Sequence, residues 1–160
     1  MIKDDERQNE IARDEASRFV AEQYVSSGYY LHFHRNLEIY GVVRGKVAVT
    51  IDGEQKILTD GQIVIVDGLE NHSYEIDGEA EVVCTYVGTR YLRDFHSLYA
   101  EKRLPFWLMD ANSNEAVFQK IENVKKASGE DISELDKIAT VYQLLSCIVE
   151  HYPMVDKKDN

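Results

Sequence analysis

The sequence predicts a mainly β domain, a sandwich or barrel, with helices confined to its C-terminal part. Three observations predict it. Between residues 18 and 89, β-branched and aromatic residues dominate in short runs. The pairs Asp52-Gly53, Asp60-Gly61, Asp67-Gly68 and Asp77-Gly78 punctuate those runs at nearly regular spacing, and Asp-Gly tolerates the positive φ that tight hairpin turns require. Beyond Thr89 the apolar period lengthens from that of a strand to that of a helix. A chain of 160 residues suffices for one such domain, or one with a small appendage.

Taken in order, residues 1–17 are polar and weakly patterned, an N-terminal arm or short helix. Residues 47–51 and 55–58 flank Asp52-Gly53-Glu54 and read as a hairpin. Residues 63–66 form a further strand, 72–76 another, and 81–87 a last one after the Asp77-Gly78 turn. This stretch, 18–89, is the predicted barrel. Tyr91, Leu92, Phe95, Leu98 and Tyr99 then lie at helical spacing, in a run that Pro105 stops. Asn112 with Glu115, and Asp131 with Glu134, read as capping boxes, and Gly129 suits the helix end between them. The last helix, about 132–151, carries Ile132, Leu135, Ile138, Ala139, Tyr142, Leu145 and Val149 on one stripe, widened by Val141, Leu144 and Ile148. So wide a stripe implies burial on two sides: against the domain and a partner chain, or deep within the domain alone. The helical segment thus spans 90–152, and 153–160 is a linker or tail.

Charge excludes one class of function. Lys and Arg total 18 against 29 Asp and Glu, a net charge of −11. Nucleic-acid affinity comes largely from neutralised phosphates, and this segment alone has no basic stripe to supply it. Arg90, Arg93, Lys102 and Arg103 make one locally basic helix, read as a solvated face. No apolar run approaches the roughly 20 residues of a membrane-spanning helix, and the charged start lacks a signal peptide's apolar core. A cytoplasmic location is expected. Cys84 and Cys147 have no metal or disulfide spacing and suit a reducing compartment. His96 and His151 sit in helices without partners at metal spacing.

The informative stretch is Leu31-His32-Phe33-His34-Arg35-Asn36-Leu37-Glu38-Ile39-Tyr40. In a regular strand His32, His34 and Glu38 share one face, and Leu31, Phe33, Leu37 and Ile39 the other. A fourth ligand must come from another strand, and His72 is the natural candidate. Nitrogen and carboxylate donors in that ratio suit Fe, Mn, Ni, Cu or Zn better than Mg or Ca. The alternative is a polar cavity lining that holds no metal. Tyr30 and Tyr40 share the parity of the histidines, and Tyr74 that of His72. A pocket mixing imidazole, carboxylate and phenol would take a small polar ligand, a sugar or a small acid. The alternative is tyrosines of ordinary strands, in the core or on the surface.

These residues carry a resemblance. His32, His34, Glu38 and Gly45 reproduce the spacing of the first cupin motif, and Gly61 with His72 is similar to the second. The second motif departs at Asp67, where proline is usual, and at Ile76, where asparagine is. Over about residues 28–87 the resemblance implies a double-stranded β-helix, or jelly-roll, followed by two or three α-helices, with the four motif residues as metal ligands. The stretches 32–39, 42–47, 58–62 and 71–74, with the helices after Tyr91, also resemble the sensor half of AraC-type transcription regulators. That resemblance implies a small-molecule effector in the barrel and a homodimer through residues 112–151. It also implies DNA contact through a separate helix-turn-helix region, which these 160 residues do not include. The rival expectation is a stand-alone metal-dependent cupin enzyme: an oxygenase, isomerase or lyase.

Overall fold

A computed structural model describes residues 8–9 and 15–157. The predicted N-terminal arm therefore lies mostly outside the described residues. The strands are β1 (Gln8–Asn9), β2 (Phe19–Phe33), β3 (Leu37–Arg44), β4 (Lys46–Ile51), β5 (Glu54–Thr59), β6 (Ile63–Val66) and β7 (His72–Val87). Then follow α1 (Arg93–Leu98), β8 (Lys102–Arg103), β9 (Trp107–Leu108), α2 (Ala111–Ser128), α3 (Glu134–His151) and β10 (Val155–Asp156). The main sheet runs β1-β2-β7-β3-β6-β9, with β4 paired to both β5 and β7. The predicted hairpin is β4–β5. Asp52 and Gly53 both take positive φ, 45° and 87°, as a turn matching strand twist requires.

The sheet curls into a half-barrel because its longest strand changes neighbours. Near its start β7 pairs with β2 and β4; from Ala80 onward it pairs with β2 and β3. The expected turn at Asp77-Gly78 does not break the strand. β2 stays paired on both sides of it, Ser26 with Ala80 and Gly28 with Glu75, so residues 76–79 bulge from one continuous strand. Such a bulge bends the strand and increases its twist.

Alternation then fills two cores. On β3, β6 and β7, the side chains of Leu37, Ile39, Ile63, Ile65, Val83 and Val87 face the helices. Their neighbours Tyr40, Val42, Val64, Val66, Val82, Cys84 and Tyr86 face the barrel interior. Both sides of these strands are buried, hence their nearly unbroken apolar text. From α2, Val117, Ile121 and Val124 pack on the sheet's outer face, and α3 adds Val141, Leu144, Leu145 and Ile148. Buried Asn114 donates to the carbonyls of Gly61 and Leu108 and accepts from the Tyr152 hydroxyl, which ties both helices to the sheet.

The helical part differs from expectation in three places. The caps are Asp110, accepting from the Asn112 N–H, and Ser133, accepting from the Asp136 N–H. Each is displaced by two residues from its predicted box, because these side chains stand on extended backbone at the helix start. Gly129 and Tyr152 end the two helices as expected. The predicted basic helix ends at Leu98, and Lys102 and Arg103 enter β8, paired to β10. On α3 the widening set, Val141, Leu144 and Ile148, is buried, whereas Leu135 is 78% exposed and Ile138 is exposed. Among the described residues no helix is long and apolar enough to cross a membrane.

Candidate metal centre and adjoining cavity

His32 lies one residue before the end of β2 and pairs in register with His72, the first residue of β7. Glu38 is the second residue of β3, on the other side of β7. His34 belongs to neither strand; it sits in the link at 34–36. The parity argument therefore groups the right residues by a different route. They share no single strand, and the chain steps across β7 between His32 and Glu38.

The four side chains are 0–1% exposed, and one donor atom from each lies within 4.8 Å of the others. Each histidine is held from behind. The Nδ1–H groups of His32, His34 and His72 donate to the carbonyls of Tyr30, Asn36 and Glu70, at 2.8, 3.1 and 2.9 Å. Those bonds place a proton on each Nδ1, so that in the neutral ring the lone pair is on Nε2, the arrangement usual behind metal-bound histidines. His34 Nε2 is 2.7 Å and His72 Nε2 3.4 Å from the same oxygen, Glu38 Oε2. Lone pairs that close repel unless a cation joins them, either a proton or a metal ion.

Electrostatics agree with that reading. Burial works to raise the Glu38 carboxyl, but His34 at 2.7 Å, His72 at 3.4 Å and the positive field of these rings when protonated hold it well below the ordinary carboxylate range. Burial lowers His72, yet the nearby Glu38 carboxylate and the backbone carbonyl of Glu70 leave it raised on balance. The other carboxylate oxygen, Oε1, accepts from the Tyr74 hydroxyl. The donor set and its burial fit a borderline transition metal.

Beside the cluster is a cavity of about 260 Å³, bordered by His32, Glu38, Tyr40 and Tyr74. Tyr40 and Tyr74 stack with centroids 4.0 Å apart and planes 14° from parallel. Burial raises both phenols, and Tyr86 with them, so they remain neutral. Tyr30 does not line the cavity. It is 45% exposed and stacks on Tyr29, which does line it. The cause is the irregular register between Tyr29 and His32, which puts Tyr29 in place of Tyr30 on the face of His32. Sequence reasoning missed Arg18, Glu22, Ser26, Tyr29 and Tyr86, which also border the cavity. Tyr86 shares the parity of Tyr74, and Glu22 and Ser26 that of His32, so these were legible; Tyr29 was hidden by the register shift between it and His32.

Residues 23–88 match the family described as Cupin domain. No curated protein matches the chain in sequence. Among solved structures, the AraC-like transcriptional activator CuxR superposes with a TM-score of 0.54 at 12% identity, over 88% of this chain and 52% of CuxR. A predicted oxalate decarboxylase from Thermotoga maritima gives 0.39 at 20% identity, over 42% of this chain and 64% of that one. An RmlC-like cupin from Shewanella frigidimarina gives 0.39 at 25% identity, over 49% and 73%. This chain thus spans about half the length of CuxR and under two thirds of the Thermotoga protein. The likeness to CuxR is one of fold, and at 88% of the chain it takes in the helices as well as the barrel.

Proposed function

We propose, from the cupin domain at residues 23–88 as premise, that this chain is the effector-sensing and pairing segment of an AraC-type transcription regulator. One observation carries the reading. β2 borders the cavity on its inner face and carries α2 on its outer face, so a ligand that moves β2 also moves the helix behind it. α2 in turn packs on α3. The apolar residues α3 leaves uncovered, Leu135 and Ile138, are the surface through which a second copy would pair. DNA contact would belong to a region outside this segment, since the net charge of −11 opposes it here. The shared architecture with CuxR, barrel and helices together, supports this reading.

His32, His34, Glu38 and His72 would hold the metal. When bound, it would supply a positive centre that orients a ligand oxygen at the cavity wall. The protein's own groups do the rest. Tyr74 fixes the carboxylate, the backbone carbonyls fix the rings, and Tyr40 presents an aromatic face to ligand CH groups. Regulation then requires only that the ligand bind one state of the pair better than the other.

A second reading has its own support. His32 and Glu38 border the cavity directly, so a bound metal would face a substrate, as a metal-dependent cupin enzyme needs. One experiment separates the two. Ligands found by thermal shift are added to the metal-loaded protein, and sedimentation velocity and ligand consumption are followed together. A changed dimer population with the ligand intact supports the sensor. Ligand turnover without any change in association replaces it with the enzyme.

A further inference from the structure

Arg18 immediately precedes β2, and its backbone is clamped against the end of β7. The Gly88 N–H donates to the Arg18 carbonyl at 2.6 Å, and the Arg90 N–H to the Ala16 carbonyl at 2.9 Å. A Cβ at position 88 would collide with the backbone of Ala16 and Arg18, so only glycine permits the approach. The clamp sets the guanidinium 4.5 Å from the centroid of the Tyr86 ring, at the cavity wall. The Tyr86 ring also contacts His34, at 5.8 Å between centroids. One aromatic side chain therefore links the arginine to the candidate metal cluster.

Two features set this arginine apart from an ordinary surface cation. Among the described residues it is the one Lys or Arg bordering the cavity. Its Nε is buried and has no hydrogen-bond partner among them. A buried, unsatisfied donor on a charged group is costly unless a ligand completes it. The nearby acids do not complete it. No ion pair joins Arg18 to Glu22 among the described residues, and four residues of extended strand separate them by about 13 Å. Glu38 is already engaged by His34 and Tyr74.

We infer that the cavity takes a small organic monocarboxylic acid, its carboxylate bound side-on by the Arg18 Nε–H and an adjacent Nη–H. The inference rests on reading this cavity as the ligand site, and it names the ligand class and the residue that selects it. A planar guanidinium fork matches a carboxylate in paired hydrogen bonds. A dianion such as phosphate fits less well, because one cation faces it and two acidic side chains, Glu22 and Glu38, share the walls. Between the two ends, the phenol rings of Tyr29, Tyr40 and Tyr86 would pack the ligand's carbon skeleton. A hydroxyl or oxo group on the acid would lie toward His32 and Glu38.

The test is isothermal titration of the full chain, metal-loaded, with lactate, pyruvate, benzoate and salicylate, each paired with its amide. Inorganic phosphate and a neutral polyol, inositol, complete the set. At least one acid is expected to bind tenfold or more tightly than its amide. Arg18→Gln should abolish that preference while leaving metal content and circular dichroism unchanged, and Arg18→Lys should restore part of it. If Arg18→Gln does not fold, Arg18→Lys and the acid–amide contrast on the unaltered chain decide. The inference is overturned if no acid binds, if acid and amide bind equally, if phosphate binds as tightly, or if the variant keeps the preference. Inositol binding equally to both proteins, with no acid binding, would overturn the inference yet leave a ligand-sensing cavity. Acid binding that fails to alter the dimer population would uphold it and remove the regulatory reading.

Discussion

At Glu38 two ring nitrogens and a phenol converge on one carboxylate. His34 bonds one of its oxygens and Tyr74 the other, with His72 close to the first. Glu38→Gln keeps the volume but removes the charge and one acceptor. Metal content, measured by inductively coupled plasma mass spectrometry, is expected to fall to background. The metal-free variant should lose about 1–3 kcal/mol in urea unfolding, since the buried donors lose a good partner. That these four side chains come together was legible in the sequence, because residue identity and parity survive the actual break at His34. The facing of Tyr30 was not. It depends on a register irregularity, and no residue type in 29–32 marks one.

Among elements, α2 holds the sheet's outer face through Val117, Ile121 and Val124. Ile121→Ala removes a side chain 2% exposed and should cost about 2–5 kcal/mol by urea unfolding. α1 is held differently. His96 Nε2 lies 3.2 Å from an Asp67 carboxylate oxygen in the link before β7. That bond raises the imidazole, partly against burial. A group raised on folding stabilises fully below its unfolded value, near 6.5, and loses that contribution as pH climbs through the folded value. Stability should therefore decline through that window, by less than about 1 kcal/mol, because His96 is 41% exposed and solvent screens the pair. His96→Gln should flatten the decline in urea titrations repeated across the window. The sequence read His96 as incidental because its partner is 29 residues distant in the chain. The displaced helix caps have a similar origin. Asp110, Asn112, Asp131 and Ser133 are all capping residue types, and only the path of the chain into each helix selects one.

For the whole molecule, α3 is a helix whose first half leaves apolar side chains uncovered. Leu135 and Ile138 contribute little to the folded core, so charged replacements test pairing apart from folding. In sedimentation velocity, Leu135→Asp combined with Ile138→Asp is expected to shift the protein toward monomer, with thermal stability of the monomer nearly unchanged. A dimer that persists at the same concentration would place the pairing surface elsewhere. The sheet's outer face and the helices share one core, running from Ile39 and Val83 through Ile121 to Leu144 and Ile148, on the opposite side of the same strands from the barrel interior. A ligand that displaced these strands would therefore press on packed side chains behind them, and close-packed interiors transmit strain.

By itself, the sequence determined the mainly β class, the β4–β5 hairpin, the two long helices and the chemistry of four side chains. Each depends on residue type and on repeats a few positions long, which survive any rearrangement of distant segments. Tertiary structure alone decided that β7 runs unbroken past Asp77-Gly78, that Tyr29 rather than Tyr30 faces the cavity, and that Arg18 reaches its wall. Those outcomes follow from which strand lies beside which, and pairing between segments tens of residues apart leaves no local periodicity to read.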